Sequence, residues 1–290
     1  MTNRTHARTP RLAHAAVVAA AALTLGACGG SDAGADGATE AAGTTVDGVT
    51  TLTVGASPTP HAEILEFVDA ELAADAGLDL EIETFDDYVL PNTALAEGDL
   101  DANYFQHLPY FEAQVADQGY DFAHFDGVHI EPYALYSADL TSIDDLPDGA
   151  TIGITNDPGN QARALDLLVA NDLLTLEDTG DELATLLDIA ENPHGLEFIE
   201  TAPEQLVRAL EDVDAAVING NYALEAGLNP ATDSLLLESG EANPYANFLA
   251  VRSEDAEDPS IVALDDLLHS PEVKAFIEDR WPAGEVLPAF

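Results

Sequence analysis

One strand–helix order runs twice along this 290-residue chain, and it narrows the possible architectures more than anything else in the sequence. Thr51-Leu52-Thr53-Val54-Gly55-Ala56-Ser57 is a β-rich run ending in small residues, and Ala150-Thr151-Ile152-Gly153-Ile154-Thr155-Asn156 repeats it. A helical pattern follows each run. The first, over about residues 61–74, places Ile64, Leu65, Phe67, Val68 and Leu72 at three- and four-residue steps. The second covers about residues 160–171. Each half then has an alternating strand, at residues 80–83 and 196–200. Finally, Ala94-Leu95-Ala96-Glu97-Gly98-Asp99-Leu100-Asp101-Ala102 is echoed by Ala209-Leu210-Glu211-Asp212-Val213-Asp214-Ala215, a helix end and acidic turn opening into a strand.

One such echo arises easily by chance in an α/β chain, but three in the same order favour two similar lobes. Strands alternating with helices point to parallel sheets flanked by helices, with a ligand cleft at the strand ends. The first lobe is expected over residues 50–136 and the second over 137–243. Residues 244–290, with helices near 261–268 and 271–280, are expected to return to the first lobe, giving two crossings and a hinge.

The N-terminus bears on location. Arg4, Arg8 and Arg11 precede an uncharged apolar run over residues 15–25, too short for a comfortable membrane span, which reads as a secretory signal over residues 1–27. It closes on Leu25-Gly26-Ala27-Cys28, which resembles a bacterial lipobox. The alternative is an ordinary signal with a chance cysteine, yet Cys28 is the only cysteine in the chain. Cys28 is therefore expected to carry a lipid anchor, palmitate included. Residues 28–49, rich in Gly, Ala, Ser, Thr and Asp, read as a flexible tether.

Charge removes whole classes of partner. The chain has 55 acidic and 8 basic residues, and loss of the signal arginines would leave 5 basic residues and a formal charge of −50. Such a surface repels nucleic acid and anionic headgroups. Disorder is the usual alternative for so acidic a chain, but 47% hydrophobic content with clear periodicity argues against it. An exported acidic chain whose only lysine is Lys274 suggests a high-salt habitat. On that reading, melting temperature should rise markedly between dilute buffer and molar salt, as self-repulsion is screened; a flat dependence would contradict it.

Arg163 is one of five cations outside the signal, with Arg208, Arg252, Lys274 and Arg280. It lies near the start of a helix after the turn-rich Asn156-Asp157-Pro158-Gly159-Asn160. Free N–H groups of that turn, the helix dipole and a two-pronged guanidinium together suit a carboxylate. A surface ion pair is the alternative. Phe105, His107 and Tyr110 follow a strand, where a cleft should open, although Phe105 and Tyr110 could simply be core. Asn219 and Asn221 flank Gly220 after Ala215-Ala216-Val217-Ile218. Asn219 is favoured as a ligand group and Asn221 as a turn residue, with Tyr222 a lesser candidate. His107 has no second histidine at ligand spacing, and His124 and His129 are read as structural, so no metal or other cofactor is expected. No nucleophile elbow, phosphate loop, dinucleotide fingerprint or His-Glu-x-x-His appears, and with so many carboxylates any acid–base pairing is uninformative.

Several ordered motifs carry a family resemblance over about residues 50–290. They are Phe85-Asp86-Asp87-Tyr88-Val89-Leu90-Pro91-Asn92; Gly98 through Asn103-Tyr104-Phe105-Gln106-His107, with Pro109-Tyr110; and Asn156-Asp157-Pro158-Gly159-Asn160 with Arg163. Leu187-Asp188-Ile189-Ala190-Glu191-Asn192-Pro193, Ala216-Val217-Ile218-Asn219 with Tyr222, and Pro244-Tyr245 with Asn247 complete the set. Together they resemble the NlpA or MetQ family of methionine-binding lipoproteins of ABC importers.

The resemblance implies a two-lobed periplasmic-binding-protein-like fold (type II-like), a methionine cleft, and delivery to an ABC permease and its ATPase. It implies no catalysis, and a location on the outer face of the bacterial cytoplasmic membrane. Tyr88, Phe105, His107 and Tyr110 would form one wall, and Asn156, Arg163, Asn219 and Asn247 the other. Two departures are the acidic body and Tyr104, which stands where a small residue is commoner and bears on the pocket's shape. The ligand could be methionine, a close relative, another amino acid or a methionine-containing dipeptide. The competing readings are an accessory surface lipoprotein that contacts other proteins, and an enzyme. Loss of Arg163 is expected to weaken binding and leave fold stability nearly unchanged.

Overall fold

The computed structural model describes residues 41–180, 182–240 and 243–290. The signal sequence, Cys28 and the first part of the tether lie outside the described residues. Among the described residues, no helix is long and apolar enough to cross a membrane.

The described residues form two mixed sheets and a small ribbon. In the first sheet, Val49–Ala56 runs parallel to Leu78–Thr84 on one side and to Ala102–His107 on the other. Asn247–Arg252 then inserts antiparallel between Ala102–His107 and Phe122–Ile130. In the second sheet, Thr151–Thr155 lies parallel to both Glu197–Thr201 and Ala215–Ile218. Ala134–Tyr136 and Ser234–Leu237 extend it antiparallel. Central strands such as Ala215–Ile218 are buried along their whole length, which is why they read as continuous apolar runs rather than alternating ones.

Helices Glu63–Glu71, Pro259–Leu268 and Pro271–Arg280 cover the first sheet. Their Ile64, Leu65, Val68, Ile261, Leu264, Val273 and Ile277 share one core with Leu52, Val54 and Leu249. A second core joins Ile152, Ile154 and Val217 to Leu165 and Leu168 of helix Pro158–Ala170. A third, containing Tyr88, Phe105, Tyr110, Tyr136, Ile218 and Tyr222, takes side chains from both sheets' surroundings. The chain passes from the first sheet to the second through Glu131-Pro132-Tyr133, and returns between Leu237 and Asn247.

Two expectations shift here. The folded body begins before residue 50, because Thr44–Val46 pairs antiparallel with Val49–Ala56. Asp47 (φ 52°) and Gly48 (φ 87°) make the left-handed two-residue turn that an Asp-Gly pair favours. Side chains also fix the backbone before this hairpin: Asp258 Oδ2 accepts from Ala42 N at 3.1 Å and Asp101 Oδ1 from Gly43 N at 2.9 Å. Near the expected boundary at residue 137, Ala134–Tyr136 already belongs to the second sheet, paired to Ala215–Ile218 through three registered residues.

Candidate functional site

Local sequence places the site's side chains at strand ends and helix starts. Strand Ala102–His107 delivers Phe105 and His107, and helix Leu108–Gln118 begins directly after it, with Pro109 in its first turn. Tyr110 stands in that turn, its hydroxyl donating to the Tyr88 carbonyl at 2.8 Å. Opposite, Asp157 caps helix Pro158–Ala170 by accepting from Asn160 N at 2.9 Å, and Pro158 starts it. That helix carries Asn160 and Arg163. Asn219 and Asn221 follow strand Ala215–Ile218, and Asn247 opens the strand that returns to the first sheet.

These groups surround a cavity of about 340 Å³, counting its part open to solvent. Of the eight residues expected to bind ligand, Tyr88, Phe105, His107, Tyr110, Arg163, Asn219 and Asn247 line it. Tyr88, Phe105 and Tyr110 form a box with ring centroids 5.8–6.1 Å apart. An apolar side chain placed there would meet ring faces and edges, favourable for a thioether by roughly 0.3–1.5 kcal/mol. Tyr222, the lesser candidate, does not line the cavity; its ring lies tilted against that of Tyr88, with centroids 5.1 Å apart.

Asn156 does not line the cavity. It is exposed at the end of strand Thr151–Thr155, and its main-chain N donates to Thr201, continuing the sheet rather than entering the cleft. Asn160 takes that place instead. Its amide is oriented by Asp157, which accepts from Nδ2 at 3.0 Å, so Oδ1 is left to accept from both His107 Nε2 (3.0 Å) and Asn219 Nδ2 (2.8 Å). One side chain thus ties the two walls together. The Asn160 position was visible in the motif but given no role.

Asn221 is also part of the site, not a turn residue. The Asn219-Gly220-Asn221 stretch opens a helix, Gly220–Glu225. Asn221 Oδ1 accepts from the Tyr88 hydroxyl at 2.5 Å, and its Nδ2 is buried without a partner. Glu131 and Gln106 line the cavity too. Gln106 is a cavity group the sequence reading passed over. Glu131 was read only as part of a strand-like run, although an acid between Ile130 and Pro132-Tyr133, where apolar residues dominate, is itself a signal.

Arg163 is an ion-paired group, not a free cation. It sits in the second turn of its helix, 3% exposed, with its guanidinium 4.9 Å from the Tyr133 ring centroid and 4.3 Å from that of Tyr245. Its Nε donates to Glu238 Oε1 at 3.0 Å and Nη2 to Oε2 of the same carboxylate, while Nη2 also donates to the Glu131 carbonyl at 2.8 Å. Glu238 therefore already holds the two-pronged edge, and Nη1 is the nitrogen without a partner among the described residues. Of the N–H groups expected to complete the anion site, that of Asn160 is likewise engaged, since Asp157 caps that helix start.

Behind the cavity lies a buried histidine pair. Glu131 Oε1 faces His129 Nε2 at 3.0 Å and His61 Nε2 at 3.3 Å. Tyr104 does not line the cavity: it is fully buried, and its hydroxyl donates to His129 Nδ1. Its ring also packs edge-on against both His61 and His129. His61, His129 and Glu131 are the described residues whose grouping has metal-ligand chemistry, with ligand atoms within 4.8 Å of one another. Hydrogen bonds already engage both Nε2 atoms, that of His129 with Glu131 Oε1 and that of His61 with Asn247 Oδ1 at 3.1 Å.

Burial pushes the His129 imidazole down to about 3 and His61 to about 4, the latter against the pull of Glu131. Burial, helped by the Arg163 charge, lowers His107 to about 3. These are neutral donors, then, not partners in ion pairs. The unfolded chain takes up protons at these three sites below about pH 6.5, while the fold does so only near 3–4, so their contribution to stability falls as pH drops across that interval. At pH 5, imidazole NMR should show His61, His107 and His129 neutral. Titration of all three near 6.5 would contradict this assignment.

The family profile described as NlpA lipoprotein matches residues 52–290. The methionine-binding lipoprotein MetQ of Bacillus subtilis is 43% identical over 241 residues, 82% of this chain and 87% of that protein. A nutrient-binding protein from Burkholderia cenocepacia, solved bound to methionine, superposes with a TM-score of 0.79 at 43% identity, covering 82% of this chain and 100% of its own. A periplasmic substrate-binding protein of an ABC transporter from Coxiella burnetii gives 0.78 at 42% identity, with 82% and 100% covered.

Proposed function

Because this chain belongs to the NlpA lipoprotein family, we propose that its cleft captures methionine or a closely related amino acid outside the cytoplasm and delivers it to an ABC importer. It acts as a binding protein, not an enzyme. The observation that carries the reading is the pairing, in one cavity, of a three-ring aromatic box with a buried cation and convergent amides. The apolar half suits an unbranched thioether and the polar half suits a zwitterion. In a thermal-shift screen of free amino acids, methionine is expected to give the largest rise in melting temperature. A flat screen would count against solute capture and favour an accessory lipoprotein.

Residues 131–133 and the return before Asn247 would act as the hinge segments, since each connects the two sheets. Anchoring would rest on Cys28 and delivery on a permease with its ATPase. Cys28→Ser should release the protein from membranes or leave it unprocessed; processed protein still attached would contradict the anchor.

A further inference from the structure

We propose that Asn92 and Asn103 are positioning residues for the aromatic box. With Gln106 they lock a bulge at Phe105, and the bulge fixes how that ring stands against Tyr88. This deepens the methionine reading of the cleft and rests on it. Strand Ala102–His107 is not regular where it meets Asn247–Arg252. Gln106 pairs with Phe248 and Tyr104 with Leu249, which makes Phe105 the extra residue of a bulge. Such a bulge re-aims the side chains around it. Phe105 and Gln106 are adjacent in sequence yet both line the cavity, which strict alternation would forbid. Asn103 and Gln106 are three residues apart, and a regular strand would put them on opposite faces. Instead, Gln106 Nε2 donates to Asn103 Oδ1 at 3.0 Å.

A bulge one residue earlier or later would hand the box a different side chain, so its position has to be pinned. The pin is a cluster of three amides. Gln106 and Asn92 bind each other reciprocally, Gln106 Nε2 donating to Asn92 Oδ1 at 2.8 Å and Asn92 Nδ2 to Gln106 Oε1 at 3.0 Å. Asn103 Nδ2 donates to Asn92 Oδ1 at 2.9 Å and to the Pro91 carbonyl at 3.3 Å. Every amide nitrogen and oxygen of the three therefore has a partner, and all three side chains are buried. A buried polar network with all its members satisfied is rigid and specifies one arrangement, whereas a half-satisfied one is costly.

The same cluster reaches Tyr88. Pro91 and Asn92 belong to helix Leu90–Glu97, which begins two residues after that ring. Asp87 Oδ1 accepts from Val89 N at 2.7 Å and from Leu90 N at 2.9 Å, so Tyr88 and the helix start form one tight turn. Tyr88 and Phe105 are thus tied together through Asn92 and Asn103, with ring centroids 5.9 Å apart. Neither asparagine lines the cavity, so each acts through the rings and not on the ligand.

The test is a double-mutant cycle of wild type, Asn103→Ala, Phe105→Ala and the double variant, read by calorimetric titration with L-methionine. Asn103→Ala is expected to weaken methionine by about tenfold or more in the wild-type background, and by less than about threefold where Phe105 is already alanine. A general loss of stability would weaken binding alike in both backgrounds, so it cannot produce this split. Asn92→Ala, a change on the helix and not in the strand, should show the same coupling and stands in if Asn103→Ala does not fold. Losses that simply add across the cycle overturn the inference, as does a folded variant at either asparagine that binds methionine as wild type does. In those cases saturable wild-type binding leaves the methionine reading standing. Wild-type protein that binds no methionine overturns that reading, and this inference with it.

Discussion

Arg163→Ala should reduce methionine affinity by about 2–5 kcal/mol, the usual cost of removing one partner of a buried charged pair. It should also lower the melting temperature, in contrast to the expectation from sequence that stability would be indifferent. Arg163 is stacked between Tyr133 and Tyr245, and its loss leaves the Glu238 carboxylate, only 16% exposed, without its cation and with just two neutral donors, the Asn243 amide at 2.8 Å and the Tyr133 main-chain N–H at 3.1 Å. Lysine should rescue neither property fully, because it cannot donate along two parallel directions to Glu238 while also reaching the Glu131 carbonyl. Glu238→Gln separates the effects: stability should fall, but Nη1 would still face the ligand and most of the affinity should remain. If Arg163→Ala binds methionine as wild type does, the cation is a structural brace and the carboxylate is held elsewhere.

Gly159→Leu should weaken methionine binding by a factor of about ten or more while sparing most of the thermal stability. Gly159 is in the first turn of helix Pro158–Ala170, in ordinary helical conformation, so a side chain is not forbidden by its backbone. What forbids it is proximity. A Cβ would lie 2.9 Å from both Cα and N of Tyr110 and 3.1 Å from the Pro109 carbonyl carbon, all backbone atoms that cannot swing aside. This contact joins the helix beside the second sheet to the helix that follows strand Ala102–His107. A leucine should wedge the cleft apart while leaving the core of each sheet intact. Apparent affinity then falls with the fraction of molecules able to close. Small-angle scattering should show a larger radius of gyration for the variant with methionine than for wild type with methionine. Equal radii and equal affinity would mean that the approach at Gly159 is incidental.

Much of this architecture was legible in the sequence, because buried parallel strands leave runs such as Ala215-Ala216-Val217-Ile218 and capped helices leave starts such as Asp157-Pro158. The helix expected at residues 271–280 is observed as Pro271–Arg280, with Ser270 as its cap and proline in its first turn. Where the expectations failed, the deciding contacts were long-range. Asn156 and Asn160 are both in one turn-rich motif, and only the direction of the strand end and the grip of Asp157 decide which faces the cleft. Arg163 looked free because Glu238 is 75 residues away. His129 and Glu131 are two residues apart at the end of one strand, but His61 comes from a distant stretch, so no spacing rule could have grouped all three. Asp47-Gly48 is a different kind of miss. Its turn signal was local and readable, but the Gly- and Thr-rich composition around it masked a short strand.

The central claim is that one methionine binds between the aromatic box and the Arg163–Glu131 side of the cavity. Titration calorimetry of wild-type protein with L-methionine tests it most directly, with alanine and the decarboxylated amine of methionine as competitors. The account predicts one saturable site per chain, much weaker binding of alanine because the box goes unfilled, and much weaker binding of the amine because Arg163 has no carboxylate to meet. Equal affinity for all three, or no saturable binding of methionine, would contradict it.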